Sequence, residues 1–82
     1  MMKKELSQIQ QEREEKIQAV YAMIKDAYDQ HRYPPSIREI CQELGINSTS
    51  TIHAYLTELE NRGLLIVHRK INRGIMLTQN VG

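Results

Sequence analysis

Apolar residues recur at three- and four-residue spacing through the first third of the chain, which is the period of an amphipathic helix. Nothing between Glu5 and His31 breaks a helix, so the pattern predicts one helix over this range. The apolar stripe consists of Ile17, Val20, Tyr21, Ile24, Ala27 and Tyr28. Residues 1–16 continue it only through Leu6 and Ile9, within a charged, glutamine-rich run. We therefore expect residues 1–16 to form a helical extension of a domain that begins at residue 17.

A second, shorter helix is predicted to follow the two prolines at positions 34 and 35. Ser36 and Glu39 have the spacing of a capping box, in which a hydroxyl and a carboxylate each satisfy a free backbone N–H. Gly45 suits the left-handed residue that ends a helix. The buried stripe of this helix is predicted to be Ile37, Ile40, Cys41 and Leu44.

A third helix is predicted to begin at Ser48 or Thr49 and to run to Arg62, with Gly63 closing it. Its inward face is predicted to be Ile52, Tyr55, Leu56 and Leu59. Two short helices joined by a tight turn that contains glycine are typical of a helix-turn-helix.

Two short β-prone runs, residues 64–68 and 75–78, end the patterned part of the chain. The segment between them is basic and reads as the tip of a hairpin, or wing. The predicted fold is therefore mainly α with a small β-hairpin: a three-helix winged helix-turn-helix over residues 17–78, followed by a tail at 79–82.

The length of 82 residues allows one small domain and one modest core. The formal net charge is only +1, but residues 61–82 carry four cations and no acid. The C-terminal end is therefore predicted to be the electropositive end, as in proteins that bind nucleic acid.

Other classes of protein are disfavoured by what the chain lacks. Cys41 is a single cysteine, no signal peptide opens the chain, and no apolar run approaches the roughly 20 residues that cross a membrane. Cys41 and the three histidines lack metal-ligand spacing, and no nucleophile motif or phosphate-binding loop occurs. We expect a cytoplasmic protein without enzymatic activity, metal, cofactor, small-molecule ligand or membrane partner.

The outward face of the third helix carries small and polar side chains suited to close approach. In a helix-turn-helix this second helix lies in the major groove, with its N-terminal residues against base edges. Hydroxyls there can donate or accept, and an imidazole can donate to guanine. The candidate base-reading residues are Ser48, Ser50, Thr51, His53 and Ala54. Alone they would be an ordinary polar helix start, but the order of capped helices, turn and hairpin favours double-stranded DNA as the partner.

Cations of the wing and of the second helix are candidates for phosphate contact. Arg69, Lys70 and Arg73 would gain affinity by releasing counterions, although a solvated hairpin loop is the alternative for each. Ser36 and Arg38 could hold a phosphate at the start of the second helix, where N–H groups and the helix dipole favour an anion.

Several segments together resemble a known family. The sequence Tyr33-Pro-Pro-Ser-Ile-Arg-Glu-Ile40, the Leu44-Gly-Ile turn, residues 48–55, residues 59–64 and Asn72-Arg-Gly-Ile75 are similar to the DNA-binding domain of LexA-type SOS repressors. The resemblance covers about residues 17–78. It implies that Ser48, Ser50, Thr51, His53 and Ala54 read bases, and that residues 69–73 supply wing contacts.

The chain departs from that family in two ways. LexA-type repressors have a C-terminal domain that dimerises and cleaves its own linker with a serine-lysine dyad, whereas this chain stops earlier, so we expect a stand-alone domain without self-cleavage. The N-terminal extension is also longer than is usual. It could supply a homodimer through a coiled-coil seam, or be a loose, solvated helix end. The seam positions are Leu6, Ile9, Arg13, Ile17 and Val20.

The sequence thus predicts a sequence-specific transcriptional regulator, a LexA-like repressor that reads a short operator half-site with the third helix and the wing. Two alternatives remain open. The chain could compete with a full-length repressor for operators without being cleavable, or it could be a winged-helix interaction module in a larger assembly.

Overall fold

The computed structural model describes residues 2–68, 70, 71 and 73–78, with side chains from residue 11 onward. Three helices, α1 (Met2–His31), α2 (Ile37–Leu44) and α3 (Thr49–Asn61), precede the strands β1 (Leu65–Val67) and β2 (Ile75–Leu77). The strands form one antiparallel hairpin. The predicted winged helix-turn-helix is therefore confirmed. Arg69, the tail at 79–82 and the side chains of Leu6 and Ile9 lie outside the described residues.

One aliphatic core joins the three helices and the hairpin. The predicted stripes supply it, and the side chains that are fully buried are Ile17, Val20, Ile24, Ile40, Ile52, Leu56 and Leu59. Leu65, Ile75 and Leu77 of the hairpin are nearly as buried and close the core on one side. Cys41 is half-buried and packs against this cluster, as expected for a small core residue.

The ends of α2 follow the predicted local chemistry. The Ser36 hydroxyl accepts from the Glu39 N–H at 3.2 Å, and the Glu39 carboxylate accepts from the Ser36 N–H at 2.8 Å, so the capping box is complete. Gly45 ends the helix in the left-handed conformation, with φ +66°. Each signal is local, which is why the sequence was sufficient to predict it.

Side chains along the hairpin point alternately into the core and outward, as the register of the two strands requires. Leu65 faces Leu77 and both point into the core, whereas the neighbouring pair of Ile66 and Met76 points outward. The Tyr28 hydroxyl donates to the Ile75 carbonyl at 2.5 Å and so joins α1 to β2. The base of the wing is thereby held against the helical core.

The N-terminal part of α1 contacts α3 before the core stripe begins. The guanidinium of Arg13 lies 5.8 Å from the ring centre of Tyr55, and Glu14 pairs with Arg62. Ile17 and Val20 are fully buried within the domain itself. The predicted coiled-coil seam is corrected at these two positions, because a side chain in the core of its own domain is not available to a second copy.

Helix α1 is 30 residues long. No helix in the part of the chain that the structure describes is both long and apolar enough to cross a membrane.

Candidate nucleic-acid interface

The exposed face of α3 is set by its buried face. Because Ile52, Leu56 and Leu59 point into the core, the residues on the opposite side of the helix point outward. Four predicted base-reading residues are exposed: Ser48, Ser50, His53 and Ala54. Thr51 is half-buried.

Ser48 precedes α3 with an extended backbone, at φ −105° and ψ 118°. Its hydroxyl makes no capping hydrogen bond to the first turn of the helix. The sequence predicted a helix start here, which is confirmed, but the side chain is not used as a cap. The first turn of α3 therefore does not use the Ser48 hydroxyl as a hydrogen-bond donor or acceptor.

An open cleft lies where α2, α3 and the hairpin meet. Five of the predicted site residues line it, coming from the start of α2, from α3 and from the wing: Ser36, Arg38, His53, Lys70 and Arg73. Ser48, Ser50, Thr51 and Ala54 are not among its lining residues and lie farther around α3 or at its start. The described lining contains three Lys or Arg side chains and two histidines but no acidic residue. The cleft is therefore suited to an anionic partner.

Three exposed residues of the cleft lining were not predicted as site residues: Thr49, His68 and Ile71. Thr49 precedes His53 by four residues, so helical spacing could have placed the two on one face. His68 directly follows β1, where the chain enters the wing. Ile71 is 62% exposed. The sequence alone does not show whether an apolar residue in a predicted basic tip is exposed or buried.

Glu39 does not line this cleft but is bonded to Arg73, which does, and its charge is compensated. The Ser36 N–H and, next, the Arg73 guanidinium hydrogen-bond its carboxylate, and these bonds lower the pKa of Glu39 below its usual value. The carboxylate is therefore ionised at neutral pH. The first turn of α2 carries this anion, which also complements the helix dipole.

Arg73 is engaged within the protein. Its Nη1 donates to the Pro34 carbonyl at 3.0 Å and to Glu39 Oε1 at 2.5 Å. Its guanidinium also lies 4.9 Å from the ring centre of Tyr33. Its backbone is left-handed, with φ +58°, which is uncommon for a residue with a side chain. Lys70, by contrast, is exposed at the wing.

Comparison with known proteins agrees with this architecture. A family model described as the LexA DNA-binding domain matches residues 3–74. The LexA repressor of Clostridium kluyveri is 52% identical over 46 residues, which are 56% of this chain and 23% of that protein. The LexA repressor of Pelotomaculum thermopropionicum is 53% identical over 47 residues, or 57% of this chain and 23% of that protein.

A longer match is to the LexA repressor of Caldicellulosiruptor saccharolyticus, 41% identical over 64 residues, which are 78% of this chain and 28% of that protein. The chain thus spans about a quarter of the length of the curated relatives it matches. The family match covers α1 from its second residue, all of α2, α3 and β1, and ends at Gly74, directly before β2. By this match, and by the three helices and hairpin that form it, the chain belongs to the LexA DNA-binding domain family.

Proposed function

We propose that the chain is a DNA-binding repressor domain that reads a short operator half-site, with the start of α3 in the major groove and the wing against the adjacent backbone. The observation that supports this most is the open cleft, because α2, α3 and the wing all present polar or cationic side chains to it without an acid among its described lining residues. The match to the LexA DNA-binding domain family also supports DNA binding.

Base reading is assigned to the exposed face of α3. His53 has an imidazole that can donate to guanine O6 or N7, and Ser50 has a hydroxyl that can donate or accept. Ala54 offers a methyl group suited to the thymine methyl. Ser48 and Thr51 complete the predicted set. The small size of these side chains permits close approach of the helix to the groove.

Backbone contact is assigned to the residues around the cleft. Ser36 is a candidate through its position at the start of α2, where the helix dipole favours an anion, and its hydroxyl accepts from the Glu39 N–H. Arg38 and Lys70 are exposed cations on opposite sides of the cleft, one from α2 and one from the wing. Phosphates bound between these two cations would lose their condensed counterions, so the affinity would depend steeply on salt concentration. Arg69 is retained as a further candidate in the wing.

Repression would follow from occupying an operator, as the name of the matched relatives, LexA repressor, suggests. Specific affinity usually needs two half-sites in register, which in turn needs two copies of the domain. We propose a homodimer through the N-terminal end of α1. Since Ile17 and Val20 lie in the core, the seam positions left for pairing are Leu6, Ile9 and Arg13, of which Leu6 and Ile9 are apolar. Leu6→Ala with Ile9→Ala should sediment as a monomer if the intact chain sediments as a dimer, whereas a monomeric intact chain would refute the pairing.

A second candidate function is an interaction module, because the hairpin exposes apolar side chains. Ile66 and Met76 are each 37% exposed on its outer face, and Ile71 is 62% exposed near the tip. A protein partner could cover this face without involving α3. The two functions differ in a salt titration on duplex DNA, since phosphate contact makes log affinity fall steeply with log salt.

The decisive experiment is to select bound sites from a random duplex pool and then measure variants on the selected sequence. His53→Ala and Ser50→Ala should change which sequence is preferred, because base contacts specify. Arg38→Gln should weaken binding to all sequences. Lys25→Gln removes the same charge from α1 and serves as the control. Absence of selected sequences, or no change in preference for the α3 variants, would contradict the proposal.

A further inference from the structure

We propose that Glu39 and Arg73 form a latch that sets the position of the wing relative to α2. In this proposal Arg73 supports DNA binding as a positioning residue, through the placement of the wing and not through its own contact with a phosphate. The inference rests on the proposed DNA-binding function.

Arg73 has the contacts of an anchor. Its Nη1 is shared between the Pro34 carbonyl and Glu39 Oε1, and its guanidinium plane is near the ring of Tyr33, which is itself stacked on His31 with ring centres 5.3 Å apart. These partners lie 34 to 40 residues earlier in the chain. The backbone at Arg73 is left-handed, a conformation whose cost these contacts must offset.

Glu39 connects this anchor to the helix-turn-helix. The same Oε1 atom accepts from the Ser36 N–H at 2.8 Å and from Arg73 Nη1 at 2.5 Å. One carboxylate oxygen therefore closes the first turn of α2 and also holds the wing. Because α2 packs directly on α3, the wing is placed relative to the helix that is proposed to read bases.

The wing itself is tight next to the latch. The His68 N–H donates to the Gly74 carbonyl at 2.7 Å, and the Gly74 N–H donates to the Ile71 carbonyl at 3.1 Å. A Cβ atom at Gly74 would lie 2.3 Å from the His68 carbonyl oxygen. A turn this close has little freedom to adjust, so an anchor at the neighbouring Arg73 restricts where Gly74 and the residues bonded to it can lie.

The charges of the pair argue against Arg73 as a major source of phosphate affinity. A cation paired with a carboxylate at 2.5 Å has a partner that would repel an approaching phosphate. Such a pair has no net charge and therefore neutralises little phosphate charge, so it releases few of the counterions condensed on the DNA and adds little to the salt dependence of binding. Lys70 on the same wing is an exposed cation and lines the same cleft, which makes it the matched comparison.

The first test compares salt slopes and affinities for Arg73→Ala, Arg73→Lys and Lys70→Ala on the selected duplex. Lys70→Ala should reduce the slope of log affinity against log salt by about one. Arg73→Ala should lower affinity by about tenfold with the slope unchanged. Arg73→Lys should lose nearly as much affinity, because an ammonium keeps the charge but cannot reproduce the planar guanidinium contacts.

The second test is Glu39→Gln. Glutamine can serve in the capping box as glutamate does, but its neutral amide oxygen binds the Arg73 guanidinium more weakly than a carboxylate does. If Arg73 were a phosphate contact restrained by Glu39, removing an acid beside DNA would raise affinity. The latch predicts a loss instead, and the double variant Glu39→Gln with Arg73→Ala should lose no more than either single variant. Hydrogen exchange at the His68 and Gly74 amides of the unbound protein should accelerate in all three variants.

The latch is overturned if Glu39→Gln binds as well as or better than the unaltered chain, or if Arg73→Ala lowers the salt slope by about one, as Lys70→Ala does. It is also overturned if Arg73→Lys retains full affinity. Failure of the proposed function is a different result, in which the unaltered chain shows no salt-dependent binding to duplex DNA. Thermal unfolding of each variant establishes that it is folded at the temperature of the binding measurement.

Discussion

Arg62 and Glu14 are 48 residues apart in the chain and form a bidentate ion pair between the end of α3 and the first half of α1. Arg62 Nη1 donates to Oε2 at 2.8 Å, and Nη2 donates to Oε1 at 2.6 Å. Arg62 Nε also contacts Glu58, one turn earlier in α3, at 3.1 Å. The hydrogen bonds from Arg62, with a smaller one from Gln18, lower the pKa of Glu14 to about 2.

This ion pair should make stability depend on pH in a defined window. A carboxylate whose pKa is lowered on folding stabilises the protein above its unfolded pKa of 4.5, and this contribution is lost as pH falls toward about 2. Glu14→Gln should therefore lower Tm most at neutral pH, and the difference in Tm from the unaltered chain should disappear near pH 2. Glu15→Gln, an exposed neighbour, is the control, and an equal effect of both variants at every pH would contradict the assignment.

The contacts of Arg13 and Glu14 also bear on where the folded unit begins. A chain that starts at Gln11 keeps both contacts with α3, whereas a chain that starts at Ile17 loses the Arg13–Tyr55 and Glu14–Arg62 interactions. We expect the shorter chain to unfold at a lower temperature, and the chain from Gln11 to unfold close to the intact chain. Equal Tm values for the two truncations would show that residues 11–16 contribute nothing to the domain.

The hydroxyl of Tyr28 should stabilise the junction of α1 with the wing. Tyr28→Phe removes the hydrogen bond to the Ile75 carbonyl and should cost about 1 kcal/mol in the free energy of unfolding. Tyr33→Phe makes the same chemical change at an exposed ring and should cost less. Urea unfolding at neutral pH measures both, and equal costs would mean that the Tyr28 hydroxyl contributes no net stability.

Tyr28 also has a signature at high pH. Burial raises the pKa of Tyr28 above its usual value of 10.0, because the charged phenolate is disfavoured there. The stability that it contributes is present below pH 10.0 and is lost as the pH rises through the folded-state pKa. The difference in the free energy of unfolding between Tyr28→Phe and the unaltered chain should accordingly become smaller at high pH.

Gly74 should be required for the shape of the wing. In Gly74→Ala the new methyl group would lie 2.3 Å from the His68 carbonyl oxygen and 2.8 Å from that of Ile71, so the turn must open. Gly45→Ala meets no atom within 4 Å and should cost only the left-handed backbone term of about 1–2 kcal/mol. We expect DNA affinity to fall far more for Gly74→Ala than for Gly45→Ala, and amide chemical shifts to report which segment has moved. Comparable losses of affinity would contradict this role for Gly74.

Several features of the fold followed from the sequence because their causes are local. The capping box at Ser36 and Glu39, the stop at Gly45 and the apolar period of α3 each depend on residues within one or two turns of each other. The candidate site was predicted in part by the same means, since helical spacing identifies the exposed face of α3. Thr49, His68 and Ile71 were missed because the cleft joins three elements whose mutual packing no single pattern contains.

By itself, the sequence determined the number and order of the elements, the residues that enter the core and the small, polar face at the start of α3. Only the tertiary structure decided which long charged side chains meet. Arg73 had been predicted to contact phosphate, but packing places it between Glu39, Pro34 and Tyr33, and Arg62 pairs with Glu14 from the other end of the chain. The physical reason is that a helix period or a cap is settled over a few residues, whereas the partner of a surface arginine depends on how separate elements pack. The same packing buries Ile17 and Val20 in the core, so these two residues are not available to the predicted pairing seam.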